Sequence, residues 1–387
     1  MATDTDPSDT SDPGDASGAA DASGAADASG AADASNATDQ RLTGLSGRLR
    51  TRNTARETAE LVGIGLVGLL AAFMLGFILL YWFREFPYVE LLYTEFRIAG
   101  RLLDSILGTN VFKHPFMWQS LSTGVLIGIV APLVGSFLVH RQMALIGETL
   151  AHAAFAGVAI SLVFNSLTGW DGSILVGALV IGVLGALIVQ WLADRTDTYG
   201  DVPIAIMLSG SFALGTLLIS AGRGQTNFSI ESLLYGSIAV VTPDGTRLMG
   251  LLSVVVVLAV AVNYKQLLFI TFDEQAARVA QLPVDRYNTL LVVMTAVVVV
   301  GAMQVLGVIL VAAMLVVPVA AASQVARSFR ETVYLSILIG QAAVLAGFAV
   351  SVSLSLPAGG SIVMAAIGIY LAAIGLSKSG VTAISTH

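Results

Sequence analysis

The stretch SILVGALVIGVLGALIVQWLADR, residues 173–195, holds no charge until Asp194 and then closes on an acid and an arginine. A helix of about 20 apolar residues is what crosses the roughly 30 Å hydrocarbon layer of a bilayer, because inside lipid a helix bonds its own backbone N–H and C=O groups. The pattern recurs. Working outward, apolar spans are predicted at 61–83, 118–139, 147–164, 173–193, 202–221, 247–264, 287–302, 305–326, 331–352 and 358–376. The chain therefore reads as an all-α polytopic membrane protein of about ten transmembrane helices. Of its 387 residues 56% are hydrophobic and 12% charged, about half the charged fraction of a soluble domain. The sequence has no cysteine, which excludes disulfide scaffolds, thiolate metal sites and cysteine nucleophiles.

Residues 1–40 follow another regime. The hexad DASGAA begins at Asp15, Asp21 and Asp27 and decays from Asp33. Without apolar side chains to offset ordering entropy, this acidic low-complexity tail is expected to be disordered, and it lacks the basic and apolar regions of a signal peptide. Its aspartates account for the sign of the formal net charge of −7. The segment 41–116 then carries a basic patch (Arg41, Arg48, Arg50, Arg52, Arg56), the first span, and a polar outer stretch from Arg84 to Gln119. Positive charge before a first span predicts a cytoplasmic N-terminus. Alternating from there places His140-Arg141, Asp194-Arg195, residues 265–286 and 327–330, and Lys378 in the cytoplasm, while the outside joints carry little Lys or Arg apart from Arg223. Gln304 is expected to mark a tight outside turn between two spans.

Two segments do not span. IESLLYGSIAVV (230–241) is too short to cross and reads as a helix returning at the outer face, of the kind that lines a cavity. TFDEQAARVAQLPVDRYN (271–288) reads as an amphipathic cytosolic helix, opened by Asp273 and Glu274, given small apolar faces by Ala276, Ala277 and Val279, and ended by Leu282 and Pro283.

The chemistry concentrates in ALIGETLAHAAFAG (144–157), where Glu148 and His152 sit four apart and so share one helix face. A charge within the bilayer costs at least ~2.5–3.5 kcal/mol, so its presence points to a task. A carboxylate and an imidazole are two legs of a site for a borderline cation such as Zn²⁺ or Mn²⁺, left incomplete as a conducting site must be. The competing reading is that Glu148 merely pairs with Arg141 or caps a helix while His152 bonds a neighbour. Met143 and His140 read as packing and interfacial residues; Asp171, Glu231 and Asp244 read as outer-loop acids. Pro132 and Pro318 should bend their helices. No His-Glu-x-x-His zinc motif and no GxxxxGK[ST] phosphate loop occurs, so the chain is not expected to be an enzyme, and ATP hydrolysis would need another subunit.

In order, MALIGETLAHAAFAGVAI (143–160), LLYGSI (233–238), FDEQAARVAQLPV (272–284), VLGVILVAAMLVVPVAAA (305–322) and LPAGGSIV (356–363) resemble the permease subunit of ATP-binding-cassette importers for zinc, manganese and iron. The likeness runs from about 118 to 376, within a permease domain set at 117–387. It implies the fold of cobalamin and ferric-siderophore importer permeases and a homodimer in the plasma membrane. It also implies an ATPase subunit that binds ATP, a metal-binding extracytoplasmic lipoprotein, and no permanently bound cofactor or nucleic acid. By that resemblance Glu148 and His152 line the metal path, and Asp273, Glu274, Ala276, Ala277, Arg278 and Pro283 form the coupling helix on the ATPase. Tyr235 is the candidate outer gate. The family often has Gly at the position of Gln281 and Asp at that of Glu148. The alternatives are a permease for a chelated metal or cobalamin, and an ion-gradient-driven secondary carrier.

Overall fold

The computed structural model describes residues 58, 60–83, 86–107, 112–169, 173–195, 202–221, 234–236 and 241–382. The acidic tail, the basic patch, Asp171, Glu231 and most of 230–241 lie outside the described residues; within the last, Leu234 and Tyr235 are helical. Twelve helices follow in the described residues. They are α1 (Glu60–Trp82), α2 (Pro87–Leu107), α3 (Pro115–His140), α4 (Ala144–Thr168), α5 (Ile174–Arg195), α6 (Val202–Ala221), α7 (Pro243–Phe272), α8 (Glu274–Val279), α9 (Val284–Leu306), α10 (Val308–Ser323), α11 (Phe329–Leu354) and α12 (Ala358–Thr382). Nine of these are long and apolar enough to span, and α10 is a shorter apolar helix, so the all-α polytopic reading stands.

The axis of the bundle is α3. It is apolar all round and buried from Met117 to Leu138 save for Leu121, Ile129 and Leu133, as a helix enclosed by α7, α9, α10 and α11 must be. Lipid offers no hydrophobic drive to bring two helices together, so they meet through small residues and polar contacts. Gly340 on α11 comes so close that a Cβ there would lie 2.7 Å from the Gly128 carbonyl oxygen and 2.7 Å from the Pro132 ring. Pro132 lacks the N–H that would bond that carbonyl, and the approach of α11 covers the gap. Beside it, Gln341 Nε2 donates to Val125 O at 2.6 Å, and the hydroxyls of Ser136 and Ser336 meet at 3.2 Å.

Three boundaries depart from the sequence reading. Gly307, not Gln304, makes the turn between α9 and α10: its φ of 76° suits glycine, and a Cβ there would strike Leu234 O and Gly236 N. The returning helix α10 has 16 residues, about 24 Å, and stops at Ser323 instead of 326. The polar stretch 84–119 contains a 21-residue helix, α2, which its charged residues had hidden.

A Cβ on Gly135 would overlap the Leu315 carbonyl oxygen of α10. Gly135→Ala is expected to destabilise by about 1–3 kcal/mol, the cost of overpacking, and to lower the thermal midpoint in detergent. Gly68→Ala, with nothing within 4 Å, should leave it unchanged.

Candidate functional site

One end of the bundle gathers the polar chemistry. The α3 C-terminus, the α7 C-terminus and the α11 N-terminus meet there: His140 stacks edge-on to Phe329 at 4.9 Å, and Phe329 to Phe272 at 5.5 Å. His140 Nδ1 lies 2.8 Å from Ser136 O, one turn back on α3. From Phe272 the chain passes directly into α8.

The short helix α8 forms for local reasons. Asp273 caps it, its carboxylate accepting from Ala276 N at 2.7 Å. Its end is a Schellman turn: Leu282 N donates to Ala277 O at 3.1 Å and Gln281 N to Arg278 O at 3.0 Å, with Gln281 at φ 58°. That left-handed conformation explains why glycine suits the position. Pro283 is the N-cap residue of α9. Ala277 is fully buried and packs with Ile270, Val284 and Leu282. The outward face instead carries Val279, 84% exposed, with Arg278. Ala277 therefore seats the helix on its own bundle and is absent from the exposed face of α8; periodicity in so short a helix could not distinguish inward from outward.

Arg278 donates to Glu274 at 2.9 Å and to Asp285 at 3.1 Å, and those bonds raise its pKa. Glu274 also holds Arg141 at 3.3 Å, across the turn between α3 and α4. The Arg141 side chain is only 9% exposed. Burial lowers its pKa, and Glu274 opposes that shift. The sequence reading had offered Glu148 as the partner for Arg141; the geometry gives Glu274 instead, a pairing across 133 positions that no local pattern reveals. The turn itself is a second Schellman motif, with Gln142 at φ 58° and Met143 N donating to Leu138 O at 2.9 Å.

Helix α4 starts immediately after this turn. Met143 is its N-cap residue and packs against the core. Glu148 is exposed, and among the described residues it has no hydrogen-bond or ion-pair partner. His152, one turn on, is half-buried with its ring edge-on to Phe212 of α6 at 5.1 Å. Its Nδ1 is buried and bonded to nothing. Buried polar atoms are nearly always bonded, so an orphan imidazole nitrogen calls for a ligand or a function. Among the described residues no group of three His, Cys, Asp or Glu gathers; Glu148 and His152 stand as a two-membered set. Thr149, between them, is turned inward to Leu145 O and Ile204 O.

At the opposite end, Tyr235 is exposed beside the Gly307 turn. Asp244 lies in the first turn of α7, not in a loop, and pairs with Arg247 at 3.1 Å.

The description "ABC 3 transport family" belongs to the family model that matches residues 113–377. A manganese import system permease protein from Streptococcus gordonii is 32% identical over 66% of this chain and 89% of its own length. A probable metal transport system membrane protein from Treponema pallidum is 32% identical over 70% of this chain and 98% of its own. Among solved structures, PsaBC from Streptococcus pneumoniae in complex with Fab aligns with TM-score 0.60 and 34% identity, over 67% of this chain and 91% of that one. The helices α1 and α2 precede the matched region.

Gln281→Gly should stabilise the protein by about 1 kcal/mol, since a non-glycine residue pays roughly 1–2 kcal/mol for the left-handed conformation. A raised thermal midpoint for Gln281→Gly and a lowered one for Gln281→Val is the expected outcome.

Proposed function

Because the chain belongs to the ABC 3 transport family, we propose that it is the permease subunit of an ATP-driven importer of divalent metal ions. It forms the translocation path as a homodimer and takes its energy from a separate ATPase. The observation that carries this reading is the unbonded, buried Nδ1 of His152 one turn from an unpaired Glu148. Ionisable groups within a transmembrane helix commonly mark the path of an ion. Two protomers would bring two carboxylates and two imidazoles to a shared axis, a mixed oxygen and nitrogen set that suits Mn²⁺, Zn²⁺ or Fe²⁺. The manganese named for the Streptococcus gordonii relative favours Mn²⁺. Half a site per protomer would hold the ion weakly enough to let it leave.

Coupling follows from the same geometry. The helix α8 presents Arg278 and Val279 outward to the ATPase, on the cytoplasmic side. Glu274, on the same helix, grips Arg141 in the turn from which α4 begins. A displacement of α8 would thus reach the Glu148 turn without crossing the bundle. A metal-binding lipoprotein would deliver the ion at the far end, near Tyr235.

The complex of this chain with its ATPase, reconstituted in liposomes, is expected to take up Mn²⁺ only with ATP. Glu148→Ala with His152→Ala should abolish uptake while assembly and ATP hydrolysis persist; uptake at the unaltered rate would reject the metal path. Val279→Glu should release the ATPase from membranes without unfolding the permease, whereas retention of the ATPase would reject the docking face.

A further inference from the structure

Helix α2 lies outside the matched family region. Its two ends sit at one level of the bundle. At its start, Val89 N and Glu90 N donate to Phe86 O, and Phe86 N donates to Phe83 O at the end of α1. Near its other end the buried Asp104 accepts from Phe112 N at 2.9 Å and Lys113 N at 2.8 Å, immediately before α3 begins. With both ends held where α1 stops and α3 starts, a helix of 21 residues, about 31 Å long, fits a course across the bundle axis better than one along it.

Three faces divide it. The first packs on the protein: Tyr93 meets Tyr81 at 5.8 Å, Phe96 meets Phe77 at 4.9 Å and Trp118 at 4.6 Å, and Trp118 Nε1 donates to Phe112 O at 2.6 Å. The second is apolar and uncovered: Tyr88, Ile98 and Leu102 are 86%, 38% and 59% exposed. The third is polar and uncovered, made by Glu90, Thr94, Arg101 and Ser105. At 100° per residue, the apolar and polar exposed faces are adjacent but separate.

We propose that α2 is an interfacial helix lying in the headgroup layer of the bilayer at the end opposite α8, its Ile98–Leu102 face in lipid and its Arg101 face in water. The apolar face continues the exposed apolar surface of α1, a helix long and apolar enough to span. Phe96 of α2 touches Phe73 of α1 at 5.6 Å, and Phe73, Leu79, Trp82 and Phe83 of α1 are exposed. Aromatic residues gather at the depth where apolar and wet surroundings meet. Glu95, exposed between Tyr88 and Leu102 on the helical wheel, fits this depth; a carboxylate is tolerated among headgroups and not at the bilayer centre.

The absence of cysteine from the sequence makes single nitroxide labels clean. The full chain, as Glu90→Cys, Ile98→Cys, Arg101→Cys or Leu102→Cys, is reconstituted in phosphatidylcholine–phosphatidylglycerol vesicles. Collisions of each label with oxygen, which concentrates in lipid, are compared with collisions with an aqueous nickel chelate. The proposal expects oxygen to dominate at 98 and 102 and the chelate to dominate at 90 and 101, a reversal between two consecutive residues. A membrane-impermeant maleimide applied to native membranes should label 90 and 101 and spare 98 and 102, which checks the result without purification. Aqueous access at all four positions would overturn the proposal and assign the apolar face to a soluble partner. Lipid access at all four would overturn it as well, since α2 would then cross the bilayer.

Discussion

A buried arginine sets the geometry of the coupling end. Arg141 is 9% exposed and its ion-pair partner is Glu274. A guanidinium withdrawn from water without an acceptor is costly, and Glu274, its own side chain 40% exposed, supplies that acceptor. That requirement binds α8 to the turn between α3 and α4, and it fixes where α4 starts. His140, Phe272 and Phe329 enclose the same junction in aromatic rings, so the ends of α3, α7 and α11 meet at one place. Everything proposed for transport uses this convergence. The surface offered to an ATPase and the helix that carries Glu148 and His152 share one ion pair.

Lipid explains which parts of the molecule could be read in advance. A spanning helix announces itself by length and apolarity, and the predicted spans fall on observed helices because no other regular element satisfies the backbone in that solvent. Asp273 was readable as a helix start because capping is local chemistry. The Glu148–His152 pair was readable because i, i+4 spacing is also local. What failed to show was non-local or non-apolar. The partner of Arg141 lies 133 positions away. The contact of Phe212 with His152, and the resulting isolation of Nδ1, depend on how α6 packs. Ala277 faces inward because Ile270 and Val284 wait for it, and nothing within the six residues of α8 says so. Helix α2 was missed because a charged amphipathic helix has neither the length of an apolar run nor the look of a loop. Gly307 could have been preferred to Gln304 as the turn, since only glycine adopts its backbone angles without strain.

Small residues do for this bundle what a hydrophobic core does for a soluble protein. Gly135 lets α10 reach α3 and Gly340 lets α11 cover the carbonyl freed by Pro132. Helices α5 and α6 are far less enclosed than α3. Glu148 and His152 both lie on α4, which packs against α5 and α6. The α1 helix packs on α3 and α11, with Met74 against Ser122 and Gly63 against Leu338.

The most direct test of the coupling account reverses the charges of its central pair. In the reconstituted complex with its ATPase, the ratio of Mn²⁺ taken up to ATP hydrolysed is measured for Arg141→Glu, Glu274→Arg and the double exchange. The account predicts that each single variant hydrolyses ATP with the transport ratio lost, and that the double exchange restores it. An unchanged ratio in both single variants, with the permease folded and the ATPase bound, would contradict it.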